Sequence, residues 1–166
     1  MKPKLFRHSL LFLLSFLLSG VFTDADAQIR LRLKTNRVLR RTAVVIIAAH
    51  HQLKINRHFT GNFARSVAHQ RFARRQYALG NFLRAIFHSR RARVLALTVL
   101  RDNKGTSKKE YEFSAEENPP PAKDNPTDVQ LDDELTKDNP NQIFKDEDLV
   151  DKILDDIDVE DIVDKK

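Results

Sequence analysis

The sequence contains no cysteine and no tryptophan, and only four of its 166 residues are glycine. Without cysteine the chain can form neither a disulfide nor a thiolate metal site, so a secreted form needs another source of rigidity. The scarcity of glycine argues against a turn-rich β-sandwich or β-barrel. A chain of this length accommodates one modest domain with appendages. These absences favour a helical domain.

Acidic residues are missing from a long part of the chain. Residues 28–101 contain 15 Arg and 2 Lys but no Asp or Glu, a net charge of +17. Residues 102–166 contain 21 Asp and Glu against 9 Lys and no Arg, a net charge of −12. Uncompensated positive charges destabilise a compact state, so we expect a counter-charge from phosphate, from anionic lipid or from the acidic half itself. The abrupt change also leaves open a frameshifted or antisense origin of the basic segment, which would then lack a cooperative fold.

The first 27 residues have the order of regions found in a secretory signal peptide. Three basic residues precede an apolar run at 9–22, and Ala25 and Ala27 stand at the −3 and −1 positions of a cleavage site. The apolar run has 14 residues, whereas a membrane-spanning helix needs about 20. The sequence therefore predicts export after cleavage, with an uncleaved membrane anchor as the alternative.

The basic segment contains nearly the same fourteen residues twice, at 61–74 and 80–93, with eight identical positions. Gly-Asn begins each copy, as is typical of a helix start or break. Apolar residues recur at helical spacing, which predicts two amphipathic helices with Phe, Val and Ile inward and Arg and His outward. The predicted inward positions are Phe59, Phe63 and Val67 around the first copy, and Leu83, Ile86, Phe87, Val94 and Leu97 in the second copy and beyond it. Chance similarity in a biased composition is the alternative. The short apolar run at 42–49 is either a strand or a buried helix.

Arginine on the outward faces of these helices indicates an anion-binding surface. The guanidinium group matches phosphate in a bidentate manner, and the interleaved Phe residues supply either stacking faces or core. We expect this surface to bind a macromolecular partner with an anionic surface: a protein, a nucleic acid or an anionic lipid. Its candidate residues are Arg65, Arg71, Arg74, Arg84, Arg90 and Arg93.

The acidic half divides into a predicted disordered linker, 102–128, and an acidic tail, 129–166. The tail is also duplicated, because 123–135 and 137–149 share Lys-Asp-Asn-Pro, an apolar position at Val129 or Ile143, an acidic triplet and a closing Leu. The helical spacing of apolar residues at the end of the tail predicts a short acidic amphipathic helix. That helix could dock on a partner, fold back on the basic half or remain solvated. Its apolar face comprises Val150, Ile153, Leu154 and Ile157.

The sequence offers little support for an enzyme or a metal site. Five His lie in the basic half, where no nearby carboxylate orients an imidazole or favours a divalent cation. No nucleophile arrangement and no phosphate-binding loop is present. We therefore predict a protein without catalysis, metal or cofactor.

One short motif bears on where the exported protein is delivered. Arg37, Val38, Leu39 and Arg40 form an R-x-L-R string about ten residues after the predicted cleavage site. In that position the string resembles the translocation motif of oomycete RxLR effectors, although the acidic-acidic-Arg motif that usually follows in that family is absent. The resemblance implies a secreted protein that enters a host cell, a variable helical region and no catalysis.

Together these features predict a mainly α-helical chain, with a small basic helical module of low core content followed by a disordered acidic tail carrying a short amphipathic helix. The expected function is that of a secreted, non-enzymatic interaction protein, with a host-translocated effector as one version. Pairing of the basic module with the acidic tail is a further expectation. The alternatives are a cationic membrane-active protein restrained by its tail and a cation-binding extracellular structural protein.

Overall fold

The computed structural model describes residues 6–119, 125–154 and 156–157, with side chains from residue 26 onward. No strand occurs in these ranges, and the prediction of a mainly helical chain is confirmed. The elements are α1 Phe6–Asn56, α2 Asn62–Ala78, α3 Phe82–Asp102, two 3₁₀ turns at Lys109–Tyr111 and Ala115–Glu117, α4 Asp128–Asp138 and α5 Glu147–Val150.

Helix α1 is one long continuous helix. It includes the run at 42–49, so of the two predicted conformations the helical one forms. Ala25 and Ala27 of the predicted cleavage site lie within α1, and the basic residues Lys2 and Lys4 lie outside the described residues. Among the residues described, no helix is long and apolar enough to cross a membrane. Export remains a prediction.

Each copy of the fourteen-residue repeat begins a helix, and the two helices form an antiparallel hairpin. Gly61 precedes α2 with a φ of 78°, and Gly80 lies just before α3 with a φ of 80°. Both values fall in the left-handed region, where a Cβ atom is costly. The Gly-Asn pairs therefore mark the two helix starts because the backbone must turn there.

The main core lies where α1, α2 and α3 pack together. Aliphatic side chains from the inner face of α1 meet Phe63 and Val67 of α2 and small or branched residues of α3. The acidic tail completes this core with Val150, Leu154 and Ile157, all buried. The basic module and the tail thus share one hydrophobic core.

The predicted amphipathic helix at the end of the tail differs from the structure. Helix α5 ends at Val150, and residues 151–154 are not helical. Ile153 points away from the core and is 82% exposed, whereas its predicted neighbours on the apolar face are buried. A short non-helical segment reaches the core because burial of Leu154 and Ile157 outweighs helix formation in such an Asp-rich stretch. The part of the predicted helix beyond Ile157 lies outside the described residues.

The predicted disordered linker also differs from the structure over residues 103–119. Its two 3₁₀ turns lie against α1, and Tyr111 joins the main core. Glu117 is only 1% exposed. A Pro-containing, charged segment becomes ordered here because buried arginine on α3 requires a carboxylate partner.

The expectation that Arg and His point outward is wrong for three residues. His69, His88 and Arg93 have no exposed surface, while Leu83 and Val94, expected inward, are 41% and 38% exposed. Small residues on the facing sides of the helices, including Ala64, Ser66, Ala85, Ser89 and Ala92, are buried instead. Close approach of the hairpin encloses the polar side chains, and each finds a partner there.

Candidate anion-binding face and its acidic cover

The six arginines proposed for anion binding occupy different depths on the α2–α3 hairpin. Arg65 and Arg84 are exposed, Arg71, Arg74 and Arg90 are half-buried, and Arg93 is fully buried. Five of the six contact the acidic half of the chain. Within the described ranges Arg65 has no ion pair, and it lines a cleft beside His69.

The first repeat copy binds the end of the acidic tail. The guanidinium of Arg71 forms a two-pronged ion pair with the Asp156 carboxylate, in which Nη2 donates to Oδ1 over 3.0 Å. Arg74 Nη1 donates to the Asp156 backbone carbonyl over 2.5 Å. The neighbouring Arg75 pairs with Asp138 at the end of α4. These contacts anchor the tail on α2.

The second copy uses the equivalent positions to bind the linker. Arg90, equivalent to Arg71, donates to the Glu117 carbonyl and to Asn118 Oδ1 over 3.3 and 3.2 Å. Its guanidinium lies 4.2 Å from the centre of the Phe113 ring, a cation–π distance. Burial lowers the pKa of Arg90. Both copies of the duplicated Arg position therefore contact acidic segments of the same chain.

Arg93, equivalent to Arg74, forms a buried ion pair with Glu117. Arg93 Nη2 donates to Oε1 over 2.7 Å and Nη1 donates to Oε2 over 3.2 Å. Arg41 Nη1 and the Ser114 N–H also donate to Oε2, over 2.6 and 2.8 Å. Burial opposes ionisation, but the hydrogen bonds from Arg93 and Ser114 and the charge of Arg41 hold the pKa of Glu117 below its usual range. This carboxylate pairs with two arginines from different helices.

The two repeated histidines lie at the centre of the hairpin and contact each other. His69 Nδ1 lies 3.0 Å from His88 Nδ1. On the outer side of each ring, His69 Nε2 lies 3.0 Å from Asp132 Oδ1 and His88 Nε2 lies 3.1 Å from Glu134 Oε2. A carboxylate–imidazole–imidazole–carboxylate chain thus begins and ends on α4.

Burial determines the protonation state of the two imidazoles. It lowers the pKa of His69 to about 4, although Asp132 opposes the shift, and lowers that of His88 to about 3, with the nearby positive groups His69 and Arg84 adding to the effect. The ring of Phe72 lies 4.2 Å from the His88 ring, centre to centre. The imidazoles are therefore neutral at neutral pH, as is usual for desolvated histidine.

Arginines on α3 form ion pairs with Asp132 and Glu134, the two carboxylates that contact the imidazoles. Arg91 forms two hydrogen bonds to Asp132, of 2.8 and 2.7 Å, and a third of 2.9 Å to Asp128. Arg84 pairs with Glu134. Burial opposes the ionised form of Asp132, but the hydrogen bonds and charge of Arg91 hold the pKa of this carboxyl below its usual range. Helix α4 is thus attached to the hairpin by these ion pairs and by Leu131 and Leu135, which are buried beneath them.

Two clefts flank α4 where it lies on the hairpin. The larger, about 560 Å³, has Phe72 and Arg84 on one side and Glu134 and Lys137 on the other. The smaller, about 130 Å³, lies between Arg65 and α4. Across the described ranges, no group of three or more His, Asp or Glu is arranged to hold a metal ion.

A further carboxylate caps the start of α2. Asp146 is 1% exposed and accepts hydrogen bonds from the backbone N–H groups of Thr60, Gly61 and Ala64, over 2.8 to 2.9 Å. Gly61 has no side chain to cap the helix, so a distant residue satisfies these donors. Asp146 is the tail-repeat equivalent of Asp132, and both copies of the acidic triplet therefore place their first Asp on the hairpin.

Sequence reasoning did not identify Glu117, Asp132, Glu134 or Asp146 as functional residues. A signal existed for the last three, because they belong to the duplicated acidic triplets of the tail. For Glu117 a local signal was the Ser114-x-x-Glu117 spacing of a capping box, but that spacing does not indicate its distant partners Arg93 and Arg41.

The R-x-L-R string lies on α1 and contributes to the fold. Val38 and Leu39 are fully buried, and the Val38 carbonyl accepts a hydrogen bond from Arg93 Nη2 over 3.1 Å. Arg37 forms an exposed ion pair with Glu116, and Arg40 is exposed. Two of the four residues are thus accessible on the surface.

Comparison with protein-family models, with curated proteins and with solved structures found no match to this chain.

Proposed function

We propose that this protein is a secreted, non-enzymatic interaction protein that binds an anionic macromolecular surface through the α2–α3 hairpin. In the folded chain its own acidic half occupies that surface. The observation that carries the proposal is the equivalence of the contacts, since the duplicated Arg71/Arg90 and Arg74/Arg93 positions each bind an acidic segment of the same chain.

The exposed pairs are the part of this cover that a partner displaces at least cost. Arg71 and Arg75 keep considerable exposed surface in their pairs with Asp156 and Asp138. Exposed pairs of this kind contribute about 0–1 kcal/mol each. A multivalent polyanion gains more than this, because several arginines displace its condensed counterions into solution. The buried Arg93–Glu117 pair remains in place as part of the fold.

The test measures binding of the full chain to heparin at pH 7 and low salt. The double variant Asp138→Asn/Asp156→Asn frees Arg71 and Arg75, so we expect tighter binding that weakens steeply with salt. Glu147→Gln/Asp148→Asn is the matched control, because it makes the same change in net charge at two exposed carboxylates without an ion pair in the described ranges. Equal affinity of the two variants would contradict the proposal.

The host-translocation version of this function depends on Arg37 and Arg40. Replacing both with Ala tests whether uptake into recipient cells requires them, with Arg101→Ala/Lys54→Ala as a control of equal charge. Unchanged uptake of the Arg37→Ala/Arg40→Ala variant removes the translocation role and leaves the anion-binding role standing.

An exposed apolar stripe on α1 favours membrane-surface binding as a second candidate function. Because an α-helix turns by about 100° per residue, the apolar residues of this stripe lie on one face of α1, together with the exposed Arg40 and His51. Cationic helices of this kind lie in the interface of anionic membranes. Because residues 28–101 contain no carboxylate, an anionic lipid surface complements the stripe. Its members are Ile29, Leu33, Val44, Ile47 and Ile55, all at least 44% exposed.

Vesicle binding tests this second function. Vesicles of phosphatidylcholine with phosphatidylserine should bind the full chain, and Leu33→Ser/Ile47→Ser should weaken binding by about tenfold through lost apolar burial. Val129→Ser/Ile143→Ser serves as the control, since both side chains are exposed on the tail, 68% and 74%. Equal weakening by both variants would argue against a specific role for α1.

A further inference from the structure

The His69–His88 pair lies at the junction between the basic hairpin and the acidic tail. Both rings have no exposed surface. Their inner nitrogens contact each other, and their outer nitrogens contact carboxylates of α4. The protonation of two residues from the repeat is therefore linked directly to the position of a tail helix.

Counting protons shows which charge states this geometry accepts. Three contacts join Asp132 to His69, His69 to His88 and His88 to Glu134, and each can hold one hydrogen. Two neutral imidazoles carry two hydrogens on their four nitrogens, whereas a singly protonated pair carries three and completes all three contacts. A doubly protonated pair carries four hydrogens, so two N–H groups must then point at each other across 3.0 Å. Two positive rings also repel strongly in a buried site. The observed packing is incompatible with protonation of both rings.

The surrounding charges do not remove this conflict. The charged side chains near His69 and His88 lie on α2, α3 and α4, and most of them form ion pairs with one another. From α2 there is Arg65, from α3 there are Arg84 and Arg91, and from α4 there are Asp128, Asp132, Asp133 and Glu134. Because Arg84 and Arg91 already bind the carboxylates that face the rings, little negative charge is left to stabilise a second imidazolium.

We propose that His69 and His88 form an acid-sensitive latch: protonation of both rings separates them and releases α4 from the α2–α3 hairpin, which frees Arg84 and Arg91 from their carboxylate partners. This inference rests on the proposed function in one respect, because it takes the released arginines to be part of the anion-binding face. The latch regulates access to that face.

The directions of the pKa shifts agree with this mechanism. Burial holds both imidazoles neutral well below the ordinary histidine pKa of 6.5. When α4 leaves, the rings regain water and their affinity for protons rises. Acid therefore favours the released state, because that state binds more protons.

The cysteine-free sequence allows a direct test by site-specific labelling. Spin labels at Val129→Cys on α4 and Ile55→Cys at the end of α1, both positions exposed, report the distance between α4 and the module in the full chain. We expect one narrow distance distribution at pH 7, with a shift to longer and broader distances as the pH falls to about 3–4, the range of the two histidines. An unchanged distribution across that range overturns the latch.

The control replaces both rings with neutral amides, His69→Gln/His88→Asn, and keeps every carboxylate. In this variant the distribution should stay narrow to lower pH than in the parent chain. If acid broadens it at the same pH, carboxylate protonation causes the release and the latch is wrong. Circular dichroism at pH 7 establishes that the variant is folded.

A second measurement keeps the question decidable if the variant does not fold. In the unsubstituted chain, NMR titration follows the two imidazoles and the α4 backbone amides together. The latch requires the amide signals of residues 128–138 to change with the second imidazole protonation. Amide changes at a different pH overturn it. Neither readout contains an anionic partner, so failure of the latch and failure of the proposed function are distinguishable.

Discussion

Single carboxylates contribute strongly to the stability of this fold because residues 28–101 are basic and contain no acidic residue of their own. Glu117 forms ion pairs with Arg93 and Arg41, and Asp146 accepts hydrogen bonds from three backbone donors at the start of α2. An arginine without exposed surface is tolerated only with its partner in place. Both residues are therefore specific points at which the acidic half determines the stability of the basic half.

The Glu117→Ala substitution should destabilise the protein strongly. It leaves the buried Arg93 without its ionic partner, and breaking a buried pair in this way costs about 3–5 kcal/mol. Urea denaturation followed by circular dichroism measures the loss. The neighbouring Glu116→Ala is the control, because its pair with Arg37 is exposed and should contribute less than about 1 kcal/mol. Similar losses for the two variants would contradict a special role for Glu117.

The Asp146→Ala substitution should destabilise α2. It removes an acceptor shared by three N–H groups, and loss of a helix cap typically costs roughly 1–2 kcal/mol. Hydrogen exchange of the Gly61 and Ala64 amides should accelerate more than exchange at the centre of the helix. Asp148→Ala, an exposed residue two positions later, should leave both exchange and stability unchanged.

At the scale of elements, the two repeat copies are equivalent in backbone conformation but not in surroundings. Both begin with a left-handed glycine. A Cβ atom at Gly61 would lie 3.2 Å from the Phe144 carbonyl oxygen, whereas one at Gly80 would have no atom within 4 Å. The tail therefore packs closely on the start of the first copy only.

Alanine substitution at each glycine should reveal this asymmetry. The left-handed conformation costs a residue with a Cβ about 1–2 kcal/mol, and Gly80→Ala should show this loss alone. Gly61→Ala should cost more, because the Phe144 segment must also shift. Comparison of the two free energies of unfolding by urea denaturation provides the measurement, and a larger loss for Gly80→Ala would contradict the close contact with the tail.

At the scale of the whole molecule, stability should fall as the pH decreases below about 6.5. The folded state holds His69 and His88 neutral, with pKa values of about 4 and 3, so the unfolded chain binds protons first and gains stability relative to the fold. The lowered pKa values of Glu117 and Asp132 act in the same direction at lower pH, because their stabilisation is lost as the carboxylates become protonated.

Urea denaturation at a series of pH values from 7.5 to 4 tests this expectation. The free energy of unfolding should decrease continuously through the series. In His69→Gln/His88→Asn the decrease should be smaller between pH 6.5 and 4, because in the parent chain His69 and His88 take up protons over this range mainly in the unfolded state. A parent chain that gains stability on acidification would show that the shifts have the opposite direction.

Part of the fold was predictable from sequence. The glycine positions and the spacing of Phe63, Val67 and Ile86 identified two helices and part of their inner faces. The burial of His69, His88 and Arg93 was not predictable, because the carboxylate partners of these side chains lie 24 to 63 positions away. A local pattern of hydrophobicity cannot represent a polar group that a distant carboxylate neutralises.

The sequence by itself determined that the chain is helical, that two duplications of opposite charge are present and that the basic one needs a counter-charge. Only the tertiary structure decided where that counter-charge comes from and which arginines remain accessible. The reason is physical: helix periodicity depends on residues three and four positions apart, whereas the desolvation of a charge depends on everything that surrounds it.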